Sequence, residues 1–187
     1  MSSLLAPIVF SQPIVNIENL RHSGEIGEFK SVGLSLNGSR GNEDRDNFKL
    51  NLSYTKNNDN IESLITLSHS ERTKDDVLED KSSFFHSRLL FKSDKSYDYE
   101  LYVQSSKNPF QSYKKRDLLG FGMRFDLTKK SKIGLSLLHE KEESLKGINK
   151  ETDRVNLYLY REIELQNDNF LSTSLFYQPS IKELSSD

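Results

Sequence analysis

The chain is organised by alternation. From Ile26 onward apolar side chains recur at every second position, the period of strands with one apolar face. The rows read Val32, Leu34, Leu36, then Phe48, Leu50, Leu52, Tyr54, then Ile61, Ile65, Leu67, then Phe85, Leu89, Phe91. They continue with Tyr97, Tyr99, Leu101, Val103, then Phe121, Met123, Phe125, Leu127, then Ile133, Leu135, Leu137, then Val155, Leu157, Leu159. The last is Leu171, Leu175, Tyr177. Nine strands of about 9–12 residues are predicted, a length suited to a tilted strand crossing a bilayer. No long helix is predicted.

The intervening positions carry different chemistry. They include Lys49, Glu62, His86, Arg88, Lys92, Asp98, Glu100, Gln104, Arg124, Asp126, Ser136 and Asn156, with Gly120, Gly122 and Gly134 among them. Clear charges are balanced: Lys49, Arg88, Lys92 and Arg124 against Glu62, Asp98, Glu100 and Asp126. In a soluble barrel the apolar rows would face the core; in a membrane barrel they would face lipid and the charges would line the lumen. The connections arbitrate. Short turns are expected at 56–60, 93–96, 128–132 and 164–169, and longer charged loops at 37–46, 70–83, 106–117 and 140–152. Every second connection is long, as in outer-membrane barrels. The fold class expected is therefore all-β: an antiparallel up-and-down transmembrane β-barrel in the bacterial outer membrane.

Composition narrows the functional classes. The 187 residues carry a formal charge of −2, which argues against nucleic-acid binding. With no cysteine there is no disulfide, thiol nucleophile or Cys-ligated metal. Only 34% of the chain is hydrophobic and 29% is charged, a poor composition for a large dry core. Within residues 1–13, Leu4–Phe10 resembles the apolar region of a secretory signal, although no basic residue precedes Arg21. Residues 1–13 are expected to be the remnant of a signal peptide and residues 14–187 a single barrel domain.

Ile14-Val15-Asn16-Ile17-Glu18-Asn19-Leu20-Arg21 ahead of the first strand, with Gly41-Asn42 at the first long loop, resembles an uncharacterised family of outer-membrane barrels labelled salt-induced outer membrane proteins. The resemblance spans roughly residues 14–187. It implies no established activity, and no catalytic residues can be carried over. It also implies further strands, because single-chain bacterial barrels have even strand counts. A complete barrel of about 10–12 strands is expected, with the chain truncated at its C-terminus.

Candidate chemistry is sparse. His22, His69, His86 and His139 match no metal motif, and His69 and His139 are expected at the barrel rim. His69 and Ser70 point to opposite faces of a strand and cannot act as base and nucleophile. No other nucleophile–base pair can be assembled. The carboxylates Glu43, Asp44, Asp46, then Asp75, Asp76, Glu79, Asp80, then Glu140, Glu142, Glu143 are expected in solvated loops rather than in a cation site. The expected function is a non-enzymatic barrel, structural or narrowly pore-forming, with no cofactor and no catalytic or metal site. The eight charges Lys49, Glu62, Arg88, Lys92, Asp98, Glu100, Arg124 and Asp126 would face the lumen, preferentially as a plug. Its partners would be membrane lipid, lipopolysaccharide and the outer-membrane assembly machinery. A soluble barrel holding an apolar ligand against Phe48, Leu50 and Phe121 is the rival reading.

Overall fold

The structure, a computed structural model, describes residues 25–110, 113–128, 130–164 and 170–184. Residues 1–13, the Ile14–Arg21 segment, His22 and the expected turn at 165–169 lie outside the described residues. The strands are β1 (Gly27–Ser39), β2 (Arg45–Asn57), β3 (Ile61–Lys74), β4 (Val77–Phe91), β5 (Tyr97–Lys107), β6 (Tyr113–Thr128), β7 (Ser131–Ser144), β8 (Asn149–Glu164) and β9 (Phe170–Tyr177). One short helix, α1 (Ile181–Leu184), follows. All nine strands form one antiparallel sheet in sequence order, each pairing with its neighbours along the chain. The β8–β9 ladder runs on past Tyr177: Pro179 O accepts from Val155 N, and Ser180 bridges Arg154.

The sheet is strongly curled. Neighbouring strands lie about 4.8 Å apart, so β4 and β8 would be about 19 Å apart in a flat sheet. Yet the Arg88 guanidinium on β4 stands 5.9 Å from the Tyr158 ring on β8. Tyr158 Oη also donates to Glu100 Oε2 on β5 at 3.4 Å. Side chains on one face therefore converge, and that face is the inner one.

Polarity is inverted relative to a soluble sheet. The apolar rows lie on the outer face, with Val32 75%, Leu34 63% and Phe121 57% exposed. The inner face buries Glu62, Arg88, Glu100, Arg116, Arg124 and Glu140, three carboxylates and three guanidiniums. β1 and β9 do not pair with each other among the described residues.

Strand length departs from expectation. β1 to β8 run 11–16 residues. The four segments expected as long charged loops are mostly hairpin continuations of the strands. Between β3 and β4 only Asp75 and Asp76 are left outside the ladder, at φ 48° and 61°, a two-residue turn of the kind that matches strand twist. Between β7 and β8 the connection is Leu145–Ile148, closed by Ser144 N donating to Ile148 O at 2.9 Å and by Gly147 at φ 76°. The ladders persist there because cross-strand ion pairs replace the apolar row, as in Lys81–Glu71 (2.5 Å) and Lys141–Glu151 (3.1 Å). What separates the two ends of the sheet is thus how far the hairpins extend, not how long the loops are.

Candidate functional site

The interior of the curl is filled from β4 to β8 mainly by polar side chains, with Leu90, Leu118 and Leu138 buried among them. Even-numbered residues of β5 point inward, which brings Glu100, Tyr102 and Gln104 onto one row. Glu100 is 0% exposed and lies 3.5 Å from Arg88 Nη2. The same guanidinium sits 5.3 Å from the Tyr102 ring, so two aromatic faces and a carboxylate surround one cation. Tyr102 Oη lies 2.9 Å from Ser136 Oγ on β7, which also accepts from Asn156 Nδ2 on β8 at 2.9 Å. Gln178 Nε2 then donates to Asn156 Oδ1 at 3.0 Å. The network crosses from β4 to the residue after β9.

The inner glycines explain how tyrosine rings fit. Tyr102 stands opposite Gly120, and Tyr158 opposite Gly134. A Cβ on Gly120 would lie 2.1 Å from Tyr102 Cζ, and one on Gly134 would lie 2.0 Å from Tyr158 Cε1. Each ring therefore lies flat over its partner's bare backbone, and these two glycines leave no open channel.

A second cluster sits towards the hairpin end. Glu140 Oε2 accepts from Arg116 Nη2 and from Arg154 Nε, both at 2.8 Å. Glu140 had been expected in a solvated loop beside Glu142 and Glu143; it lies instead within β7 and is buried on the inner face. Two guanidiniums offset the cost of desolvating its charge.

The eight charges expected on the inner face divide into three groups. Glu62, Arg88, Glu100 and Arg124 are buried there. Lys92 and Asp98 are half-buried and tie down turns: Lys92 Nζ donates to Asn58 O at 2.7 Å, and Asp98 Oδ1 accepts from Ser93 N at 3.0 Å. Lys49 and Asp126 are exposed, the latter 3.9 Å from both Arg124 and Lys132. Tyr102, Tyr158 and Arg116 had gone unnoticed in the sequence. Their even numbering within β5, β8 and β6 is the signal that places them.

Several hairpin-end carboxylates outside the interior are held in ion pairs. Glu43 accepts from Lys74 Nζ and Arg45 Nη2, both at 2.6 Å. Lys74, and then Arg45, hold its carboxyl below the usual carboxylate range. Asp46 pairs with Arg40 at 2.9 Å and Glu143 with Lys114 at 2.7 Å. Among the described residues no group of three acidic or histidine side chains converges as a metal site would require.

The outer rim holds a contact between strands that spacing along one strand does not show. His69 and Ser70 do point to opposite faces: Ser70 meets Ser82 Oγ at 2.8 Å on the inner side. But His69 finds a hydroxyl on the neighbouring strand, with Ser83 Oγ 2.9 Å from its Nδ1. Its Nε2 lies 3.2 Å from Glu71 Oε1. A bulge between Arg72 and Thr73 sets this pairing. Lys74 pairs with Val77 and Thr73 with Leu78, but Arg72 pairs with Asp80, so Glu79 is the extra residue and His69 is brought opposite Ser83. Without it the two-residue turn would set His69 opposite Ser82. His139 occupies the equivalent rim position on β7 and pairs with Asp153 at 2.8 Å.

The class is now defined: an up-and-down antiparallel β-sheet, curled around a packed polar interior, with its apolar side exposed. The chain belongs to a family described as "Protein of unknown function, DUF481", whose model matches residues 32–139. That span runs from β1 into β7 and includes the rim residues and Arg88, Glu100 and Arg124. A comparison with curated proteins finds no match.

Proposed function

We propose that the chain forms the wall of a bacterial outer-membrane β-barrel whose body is structural and non-enzymatic, its lumen plugged by its own side chains. One observation carries the reading: the charged face is buried and the apolar face is exposed. Water would penalise so much exposed apolar surface on nine strands, whereas a hydrocarbon environment favours it. The arrangement of Tyr102, Tyr158, Arg88 and Glu100 supports a plug over a conduit, because the inner charges pair with each other across strands. The three buried carboxylates and three buried guanidiniums balance in number, which gives a permeating ion no marked preference of sign. Closure by additional strands, contact with lipopolysaccharide and delivery by the outer-membrane assembly machinery are parts of the same proposal. The resemblance to the salt-induced outer membrane barrels agrees with it. The rival soluble reading needs Phe48, Leu50 and Phe121 inside, and it is disfavoured by their outward placement.

The test is gel mobility of the full natural reading frame from washed outer-membrane fractions. A band that shifts between unboiled and boiled samples is expected, since closed barrels resist the detergent until heated. Recovery of the folded protein in the soluble fraction, with no such shift, would overturn the reading.

A further inference from the structure

We propose that Ser83, His69 and Glu71 form a hydrolase site on the outer face of the barrel rim, cleaving fatty-acyl esters of membrane lipid. The lipid substrate rests on the barrel reading above; the chemistry rests on the three side chains themselves.

β3 supplies His69 and Glu71, two residues apart and hence on one face, and β4 supplies Ser83 directly opposite His69. In the tautomer protonated at Nε2, the imidazole donates to Glu71 Oε1 at 3.2 Å. Nδ1 then keeps its lone pair for the Ser83 hydroxyl at 2.9 Å. Nucleophile, base and orienting carboxylate are thereby in sequence, the arrangement that activates a serine. A purely structural rim contact accounts for a Ser–His hydrogen bond. Glu71 Oε1 also accepts from Lys81 Nζ at 2.5 Å, an ion pair that holds the carboxylate beside Nε2; what a structural contact leaves unaccounted for is the groove beside the serine.

That groove has a volume of about 390 Å³ and opens on the outer face. Leu50, Leu52, Leu67 and Phe85 line its apolar part, and Ser105 and Lys107 its polar part. Lys107 stands opposite Ser83 on β5, so one cross-strand row runs His69, Ser83, Lys107. Its ammonium is the group available to a negative charge developing on a carbonyl oxygen bound beside Ser83. Leu67 and Phe85, the next outward residues on the strands of His69 and Ser83, begin the apolar band. The serine therefore sits where acyl chains give way to headgroups, the depth of a lipid's ester bonds. The rim position on β7 lacks this chemistry: His139 has Leu119 and Asp153 opposite it, an acid partner but no nucleophile.

In the reaction, Ser83 Oγ bonds to the ester carbonyl carbon and its proton passes to His69 Nδ1. The carbonyl carbon–alkoxy bond then breaks, and the leaving alcohol takes that proton. Water next adds to the acyl carbon, giving a proton to His69. Cleavage of the acyl–Ser83 bond returns that proton to Oγ and frees the fatty acid. Water is the only co-reactant.

The test uses the full chain folded in detergent micelles, with the heat-dependent gel shift as the check on folding. A fluorophosphonate probe, located by mass spectrometry, reports the nucleophile. Fatty-acid release is measured from vesicles of phosphatidylethanolamine and phosphatidylglycerol, and separately from the same vesicles containing lipid A. Label at Ser83 and release from either vesicle are expected, and the vesicle that responds identifies the lipid. Ser83→Ala should abolish both while keeping the gel shift. Ser82→Ala, whose hydroxyl faces inward, should change neither. His69→Ala should slow labelling at least about 100-fold, the usual worth of a general base. Glu71 is a positioning residue: Glu71→Gln should slow labelling about 10-fold or more, with Glu71→Asp restoring most of it. Protein that shows the gel shift but takes no label at Ser83, or that is labelled and frees fatty acid from neither vesicle, would overturn the proposal. A wild type without the shift would overturn the barrel reading and the lipid substrate with it, whereas label at Ser83 would still register the triad.

Discussion

The inner surfaces of β1–β2 and of β4–β8 are built on the same alternation but filled differently. Along the middle of β1 and β2 the inner row is Ser31, Gly33 and Ser35 facing Ser53, Asn51 and Lys49, small groups apart from the lysine, whereas nearer the β2–β3 turn Phe29 faces Thr55, and Thr55 and Asn57 are buried. Ser31 and Ser53 share a hydrogen bond at 2.8 Å, and both positions remain accessible to water. On β4–β8 the row carries Arg88, Glu100, Tyr102, Arg124, Tyr158 and Glu140, and every one of these is buried. The outer rows of the two regions are alike, so the apolar side does not decide where the interior is packed. Side-chain volume and reach on the inner row decide it. Long polar side chains can meet across several strands and satisfy one another; short ones bond only to the adjacent strand.

That difference can be broken most severely at Glu100. Replacing it with alanine leaves the Arg88 cation in a buried site without its carboxylate, a loss of about 3–5 kcal/mol. Lys49→Ala, on the same face but exposed, should stay within about 0.5 kcal/mol. Because the chain has no tryptophan, the readout is the denaturant concentration at which the folded gel band disappears. Equal sensitivity at the two positions would show that the inner face acts as one uniform surface.

The same contrast marks what the sequence discloses. Period-two rows were legible because the outer face is apolar from Val32 to Tyr177, and they marked nine strands and sorted their residues onto two faces without deciding which face is inner. The inner charges followed from parity alone, as at Arg88, Glu100 and Arg124. Hairpin ends did not. Between Ser70 and Ser83 both faces are polar, so the segment reads as loop although Lys81 and Glu71 pair across it. Nor could His69 be matched to Ser83, because that register depends on Glu79 being extruded in a bulge. Such a shift is set by the fit of two strands together and leaves no local signature. Tyr102 and Tyr158 were overlooked because tyrosine is neutral in a charge count; their even numbering places them on the inner face, and the glycines opposite show how the rings fit.

Those glycines give the next test. Tyr102 is 1% exposed and held at its hydroxyl by Ser136, so its ring cannot swing aside for a methyl group at position 120. Gly120→Ala should cost about 1–3 kcal/mol, the range for overpacking a filled interior, and lower the same unfolding midpoint. In the background of Tyr102→Ala, itself destabilising because it empties a buried site, adding Gly120→Ala should cost little further, since the space the ring vacates accepts the methyl group. A Gly120→Ala protein with an unchanged midpoint would mean that the ring does not rest on the glycine.

Gly33 is the counterpart on the small-residue side, and the expected effect there has the opposite sign. A Cβ at this position would meet nothing closer than Asn51 Cβ at 3.8 Å, an ordinary van der Waals distance. Glycine in a strand interior also loses more backbone freedom on folding than alanine, by roughly 0.5–1 kcal/mol. Gly33→Ala should therefore raise the unfolding midpoint slightly, by no more than about that amount. The two alanine substitutions add the same methyl group to inner positions of one sheet, and only the neighbouring side chains distinguish them. If Gly33→Ala were instead as damaging as Gly120→Ala, the β1–β2 surface would have to be packed in the folded protein, against side chains other than those that now face it. The packed interior would then reach further across the sheet than β4–β8.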